Sequence, residues 1–162
     1  MSLSGIHLKL GDILGESTST QHAGEISVES WTWGVANAAP APGGGGSGVG
    51  RARFTDLSFT HRVDRASPHL WKFCASGEQI RDAVLSVARP GANPQDYLTL
   101  KLSAVSVTSV AMADASADAQ IPLESVSLAF RKVEYSYKPQ NPNGSLGAAV
   151  EFRFDLAAGR IV

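Results

Sequence analysis

A single cysteine, Cys74, leaves this 162-residue chain without an internal disulfide. That fits folding in a reducing compartment. Charge of one sign is equally scarce. Lys and Arg number 14 against 15 Asp and Glu, for a formal net charge of −1. Such a balance offers no basic surplus for nucleic acid or an anionic membrane. Residues 1–12, MSLSGIHLKLGD, have no charged segment followed by an apolar one, so no secretory leader is expected. No apolar run approaches the roughly 20 residues that a membrane helix needs. What remains is a chain that is 43% hydrophobic and long enough to bury a real core, expected as one domain over residues 1–162.

Most of the chain alternates. Ile6, Leu8 and Leu10 are interleaved with His7 and Lys9, and Leu57, Phe59 and Val63 with Ser58 and Thr60. Leu98, Leu100 and Leu102 share a parity, and Val105 and Val107 take the other. Val126, Leu128 and Phe130 are followed out of phase by Val133, Tyr135 and Tyr137, and Val150, Phe152, Phe154 and Leu156 close the chain. Period-2 patterning of this length marks half-buried strands. The phase also changes in EISVESWTWGV, residues 25–35, where Ile26 and Val28 give way to Trp31, Trp33 and Val35. One slip is the mark of a β-bulge. Several imply strongly curved strands, as in a closed barrel, or an outer face covered by neighbouring subunits.

One helix interrupts the strands. Ser67 is placed to cap it, Pro68 to occupy its first position and Gly77 to end it, with Leu70, Phe73 and Cys74 on one face. The fold class is therefore mainly β: a closed β-barrel of two packed sheets with one short flanking α-helix. Residues 38–50, AAPAPGGGGSGVG, break both periods and are expected to protrude from a hairpin.

No constellation for catalysis emerges. Gly43, Gly45 and Gly48 satisfy G-x-G-x-x-G, but prolines precede them where a strand should be and a strand follows where a helix should start. His7, His22, His61 and His69 lack metal-ligand spacing, and Cys74 reads as a small buried hydrophobe, so neither metal nor cofactor is expected. No G-x-S-x-G elbow anchors a triad. Asp114, Asp118 and Glu124 read as solvated carboxylates in or beside a polar loop, and Asn143-Gly144-Ser145 as a turn. Arg51, Arg53 and Phe54 make only a weak nucleic-acid strip. Trp31 and Trp33 read first as core and second as a stacking platform for a ligand. Two alternatives therefore stand beside a structural role: a monomeric β-sandwich module binding a ligand on a Trp platform, and a hydrolase with a dispersed site.

Five segments together point to a family. GDILGES (11–17), HAGEISVESWTWG (22–34), FTDLSFTHRVDRASPHL (54–70), ESVSLAFRKVEYSYKPQNPNGS (124–145) and VEFRFDL (150–156) resemble Hcp, the tube protein of the bacterial type VI secretion system. The match runs in order over nearly the whole chain. The resemblance implies a barrel with a flanking helix, assembled as a hexameric ring without enzymatic activity. It further implies rings stacked into a tube inside a contractile sheath, capped by a VgrG-type spike and carrying small effector proteins in the lumen. It implies a cytoplasmic protein that is later secreted without a signal peptide. With the last strand near Val162, no appended toxin domain is expected.

Site expectations follow from that frame. If Trp31, Trp33 and Val35 face the core, then Ser30, Thr32 and Gly34 face outward, because successive strand residues alternate. Three small residues suit a channel wall that cargo slides past, so they are expected to face the lumen. The uncharged loop, with Pro40, Pro42, Gly43, Gly44, Gly45, Gly46, Ser47 and Gly48, is expected to contact the next ring or subunit, with Arg51 and Arg53 at its base.

Overall fold

The structure, a computed structural model, describes residues 5–38, 51–113 and 120–162. Twelve strands and one helix occur among them: β1 (Ile6–Leu10), β2 (Ile26–Ser27), β3 (Ser30–Thr32), β4 (Val35–Asn37), β5 (Ala52–Phe54), β6 (Leu57–Arg62), α1 (Ser67–Ser76), β7 (Gln79–Ala88), β8 (Asp96–Ala113), β9 (Leu123–Ala129), β10 (Lys132–Tyr137), β11 (Val150–Asp155) and β12 (Arg160–Ile161). Every pairing among them is antiparallel.

The 18-residue β8 organises the sheet. Its first half pairs with β10, which continues to β11 and β12, and β7 runs along its other edge to β1 and β2. Its second half pairs with β9, which carries β6 and then β3. The expected closed barrel of two sheets is thus an open ten-stranded sheet plus a separate β4–β5 hairpin. The reason lies between β2 and β3, where the backbone changes partners. The Val28 N–H donates to the Ile6 carbonyl, and the next N–H, that of Glu29, donates to the Thr60 carbonyl. No ladder spans the step.

The phase changes on β8 and between β9 and β10 share one cause in the middle of the sheet, which β7 shares as well. On β7, Ile80 and Ala83 are buried while Arg81 and Asp82 between them are exposed. On β8, Leu102 and Val105 are buried on either side of Ser103 and Ala104, and Ala104 has φ 53. Between β9 and β10, Phe130 and Val133 are buried around exposed Arg131. These sites are neighbours. Asp82 and Lys132 both face Ser103, and the Arg131 N–H donates to the Ser103 carbonyl at 3.0 Å. Three apparent bulges are a single crease crossing adjacent strands. The pairing of β7 with β8 keeps its register through it. A separate bulge lies between Val107 and Ser109, where β8 meets β9.

The crease brings both parities to one core. Leu8, Leu10, Ile26, Leu57, Phe59, Leu85, Leu100 and Leu128 are fully buried in it. Helix α1 closes one side through Leu70, with Phe73 and Cys74 packed against the core at its margin. Its start differs by one residue from expectation. Ala66 sits at the cap and Ser67 inside the helix, where the Ser67 hydroxyl accepts the Asp64 N–H instead. Gly77 ends the helix at φ 71, its N–H donating to the Phe73 carbonyl. Val35, expected in the core, is exposed, because β4 leaves the main sheet to pair with β5. The 143–145 turn forms as read, with the Ser145 N–H donating to Asn143 Oδ1.

Candidate functional site

The outward face of the β3–β6–β9–β8 sheet is built from short polar side chains. The register sets them in two rows. Ser30 faces Thr60, Thr60 faces Ser125, and Ser125 faces Ala111. Thr32 faces Ser58, Ser58 faces Ser127, and Ser127 faces Ser109. The alternation that buries Leu57, Phe59, Val126 and Leu128 necessarily turns these residues out. Six of the eight come from strands whose outward parity was visible only as spacing between hydrophobes. Ser58 and Thr60 stood out in that way, but nothing in the sequence set them beside Ser30 and Thr32.

Within this face two pairs of hydroxyls bond across neighbouring strands. Ser30 Oγ lies 2.6 Å from Thr60 Oγ1, and Ser58 Oγ lies 3.0 Å from Ser127 Oγ. Thr108, at the bulge, donates to Asp56 Oδ2 at 2.7 Å and also to the Ser127 carbonyl at 3.1 Å. No member of the two rows carries a charge. Charges stand at the margin, where Glu29 is 3.8 Å from Arg62. A surface of short, mutually bonded hydroxyls has little to grip with: it offers no ion pair and few long side chains.

The sheet around the first half of β8 has a different outer face. Lys101 faces Glu134, and Glu134 faces Arg153. Arg153 reaches Glu134 at 2.9 Å and Glu151 at 2.8 Å. Exposed pairs of this kind contribute little to stability.

The expected site residues separate into three groups. Ser30 and Thr32 are exposed and stand together at one edge of the hydroxyl rows. Gly34 lies beyond β3, half-buried, where its N–H donates to Thr55 Oγ1 at 2.9 Å, so it belongs to the root of the hairpin rather than to the rows. Arg51 and Arg53 are exposed on the returning arm of the β4–β5 hairpin. Pro40, Pro42, Gly43, Gly44, Gly45, Gly46, Ser47 and Gly48 lie outside the described residues.

Trp31 and Trp33 are half-buried and packed against the core. Trp33 sits among Phe54, Phe130 and Tyr135 at centroid distances of 5.9–6.3 Å. These rings support the strand from behind, which removes the basis for a Trp ligand platform. Glu124 corrects another expectation. It is fully buried, bonded to His61 at 2.8 Å and to the Trp71 indole N–H at 2.7 Å, and not solvated. Asp114 and Asp118 lie outside the described residues.

Known proteins are similar to this chain over nearly its whole length. A profile of the family described as Type VI secretion system effector, Hcp, matches residues 7–137. Protein hcp1 of Pseudomonas aeruginosa is 36% identical over 151 residues, covering 92% of this chain and 93% of its own. A solved structure of a type six secretion system protein superimposes with a TM-score of 0.91 at 25% identity, covering 98% and 99% of the two chains. Hcp1 from Salmonella typhimurium superimposes with a TM-score of 0.78 at 34% identity, over 97% of each chain. Agreement in sequence, length and strand arrangement leads to one conclusion: the chain belongs to the Hcp family of the type VI secretion system.

Proposed function

We propose that the chain is the tube subunit of a type VI secretion apparatus, with the hydroxyl rows as the wall past which cargo moves. One observation carries this reading: the two rows that cross the outward face of β3, β6, β9 and the second half of β8 are uncharged and short-chained, with two hydroxyl pairs bonded across strands, and the charges of Glu29 and Arg62 stand at their margin. A tight binding site concentrates charge, aromatic rings or a deep cleft. A conduit benefits from the reverse. Subunits form hexameric rings in which β2 and β3, consecutive in the chain, complete a barrel-like wall, and Ser30 and Thr32 face the lumen. Gly34 lies at its rim.

Rings stack into a tube through the 38–50 loop, with Arg51 and Arg53 at its base. The uncharged loop approaches a neighbour without desolvating an ion. The contractile sheath surrounds the tube, a VgrG-type spike caps it, and small effectors ride inside. The protein is cytoplasmic until firing and is then secreted. It acts as structure and carrier, without catalysis or a cofactor.

Thr32→Gln tests the wall. The substitution adds a longer amide to an exposed position and leaves the core untouched. Ring mass should stay unchanged while the amount of co-purifying effector falls. Unchanged effector retention would place the cargo surface elsewhere.

A further inference from the structure

Away from the hydroxyl wall, residues 15–25 pack beside the 89–95 turn and enclose a titratable cluster that tube function does not use. His7 on β1 and His22 stack with their ring centroids 4.7 Å apart and their planes 13° from parallel. Each residue is only 8% exposed. His22 is held at both nitrogens. Its Nδ1 lies 2.8 Å from Glu25 Oε2, and its Nε2 lies 3.0 Å from both carboxylate oxygens of Asp96 at the start of β8. Both nitrogens can serve carboxylates only as N–H donors, an arrangement that favours the imidazolium form of His22. His7 has only uncharged cross-strand neighbours, Ser27 on β2 and Ser86 on β7, and its buried Nδ1 has no partner among the described residues. The charged groups acting on it are His22, Glu25 and Asp96, and Glu16 and Arg89 line the cavity of about 790 Å³ beside the stack.

We propose that the His7–His22 stack is a one-proton latch: it ties residues 15–25 to β8 at neutral pH and releases them, opening the adjacent cavity, when His7 takes a second proton in mild acid. The tether is a side chain, since His22 alone reaches from the segment to Asp96 among the contacts above. Elsewhere Glu16 Oε2 accepts the Arg65 N–H at 2.9 Å, and the backbone of the segment is closed on itself. Gly15 N–H donates to the Gly24 carbonyl, Gly24 N–H to Ser17, and Ser17 N–H to Glu25, all within 2.9 Å. A second positive charge 4.7 Å from the first, in a site largely shielded from water, repels the ring that holds the tether.

The two rings respond to pH in opposite senses. Burial, then the His22 charge, holds His7 below 6.5, with Glu25 and Asp96 pulling the other way. The unfolded chain therefore takes that proton more readily, and stability falls as pH drops from 6.5 toward the lowered value. For His22, burial acts to lower the value, but the hydrogen bonds to Glu25 and Asp96 outweigh it and hold the ring above 6.5. That contribution is complete below 6.5 and is lost as pH rises through the raised value. The latch is closed between the two.

Amide hydrogen exchange on the intact ring tests this, with rates corrected for the intrinsic effect of pH. Protection at Gly15, Ser17 and Gly24 should fall about tenfold or more between roughly pH 7 and pH 5, while β3 and β6 keep theirs. His7→Gln should abolish that acid response, and His22→Gln should lower protection already at neutral pH. Equal protection of the native protein at both pH values overturns the proposal, as does an acid response that survives His7→Gln. Should His7→Gln fail to fold, ring titration by NMR of the native protein decides. A His7 that titrates at or above 6.5, or a neutral His22 at about pH 7, also overturns it.

Discussion

Glu124 and His61 are both fully buried, and the second oxygen of Glu124 accepts the indole N–H of Trp71 on helix α1. Asp64 completes the group, 3.8 Å from His61. Burial raises its carboxyl above the ordinary range, although His61 and the Ala66 N–H act against that. Three elements, β6, β9 and α1, are thus pinned at one buried point. Removing the acceptor strands a buried imidazole and an indole N–H. Glu124→Ala should therefore destabilise by about 3–5 kcal/mol in urea unfolding, with Glu124→Gln costing less because it keeps an acceptor. A loss below about 1 kcal/mol would show that the network is dispensable. None of this was legible in the local sequence. Glu124 follows a polar stretch and reads as solvated, and its partners are 63 and 53 residues away. Pairing of Thr32 with Ser58 is hidden in the same way, whereas the outward direction of Thr32 followed from its place between two tryptophans.

At the scale of the element, the strands were legible because period-2 burial leaves a local trace. The phase changes were visible too, but their meaning needed strand partners. A slip on β8 alone is indistinguishable from a bulge. Set beside the switch on β7 and the step from β9 to β10, it becomes part of a crease. Ala104 carries that crease at φ 53, a conformation that costs an L-residue energy. A β-branched side chain suits it still less. Ala104→Val should lower stability by about 1–2 kcal/mol, read as a fall in Tm. Ala104→Gly should leave Tm equal or higher, since glycine takes this φ without strain. If glycine destabilises and valine does not, the crease is not strained at Ala104. The hairpin was legible from the Pro/Gly-rich interruption. The exposure of Val35 was not, because leaving one sheet for another changes no local pattern.

On the scale of the whole molecule, the crease changes the argument for assembly. Apolar residues of both parities share one core, so they no longer require a neighbour to cover them. Large apolar side chains still stand in solvent: Leu14, Val35, Met112, Ile121, Val150 and Ile161 are each about half exposed or more. They are apolar surface that the proposed ring would cover. Ring assembly with the hydroxyl face inward is the central claim. Native mass spectrometry combined with electron microscopy of the purified protein at micromolar concentration tests it most directly. The account predicts a mass of about six chains and an annular particle with an open centre; a sharp single-chain mass with no annular particles in low-salt buffer would contradict it.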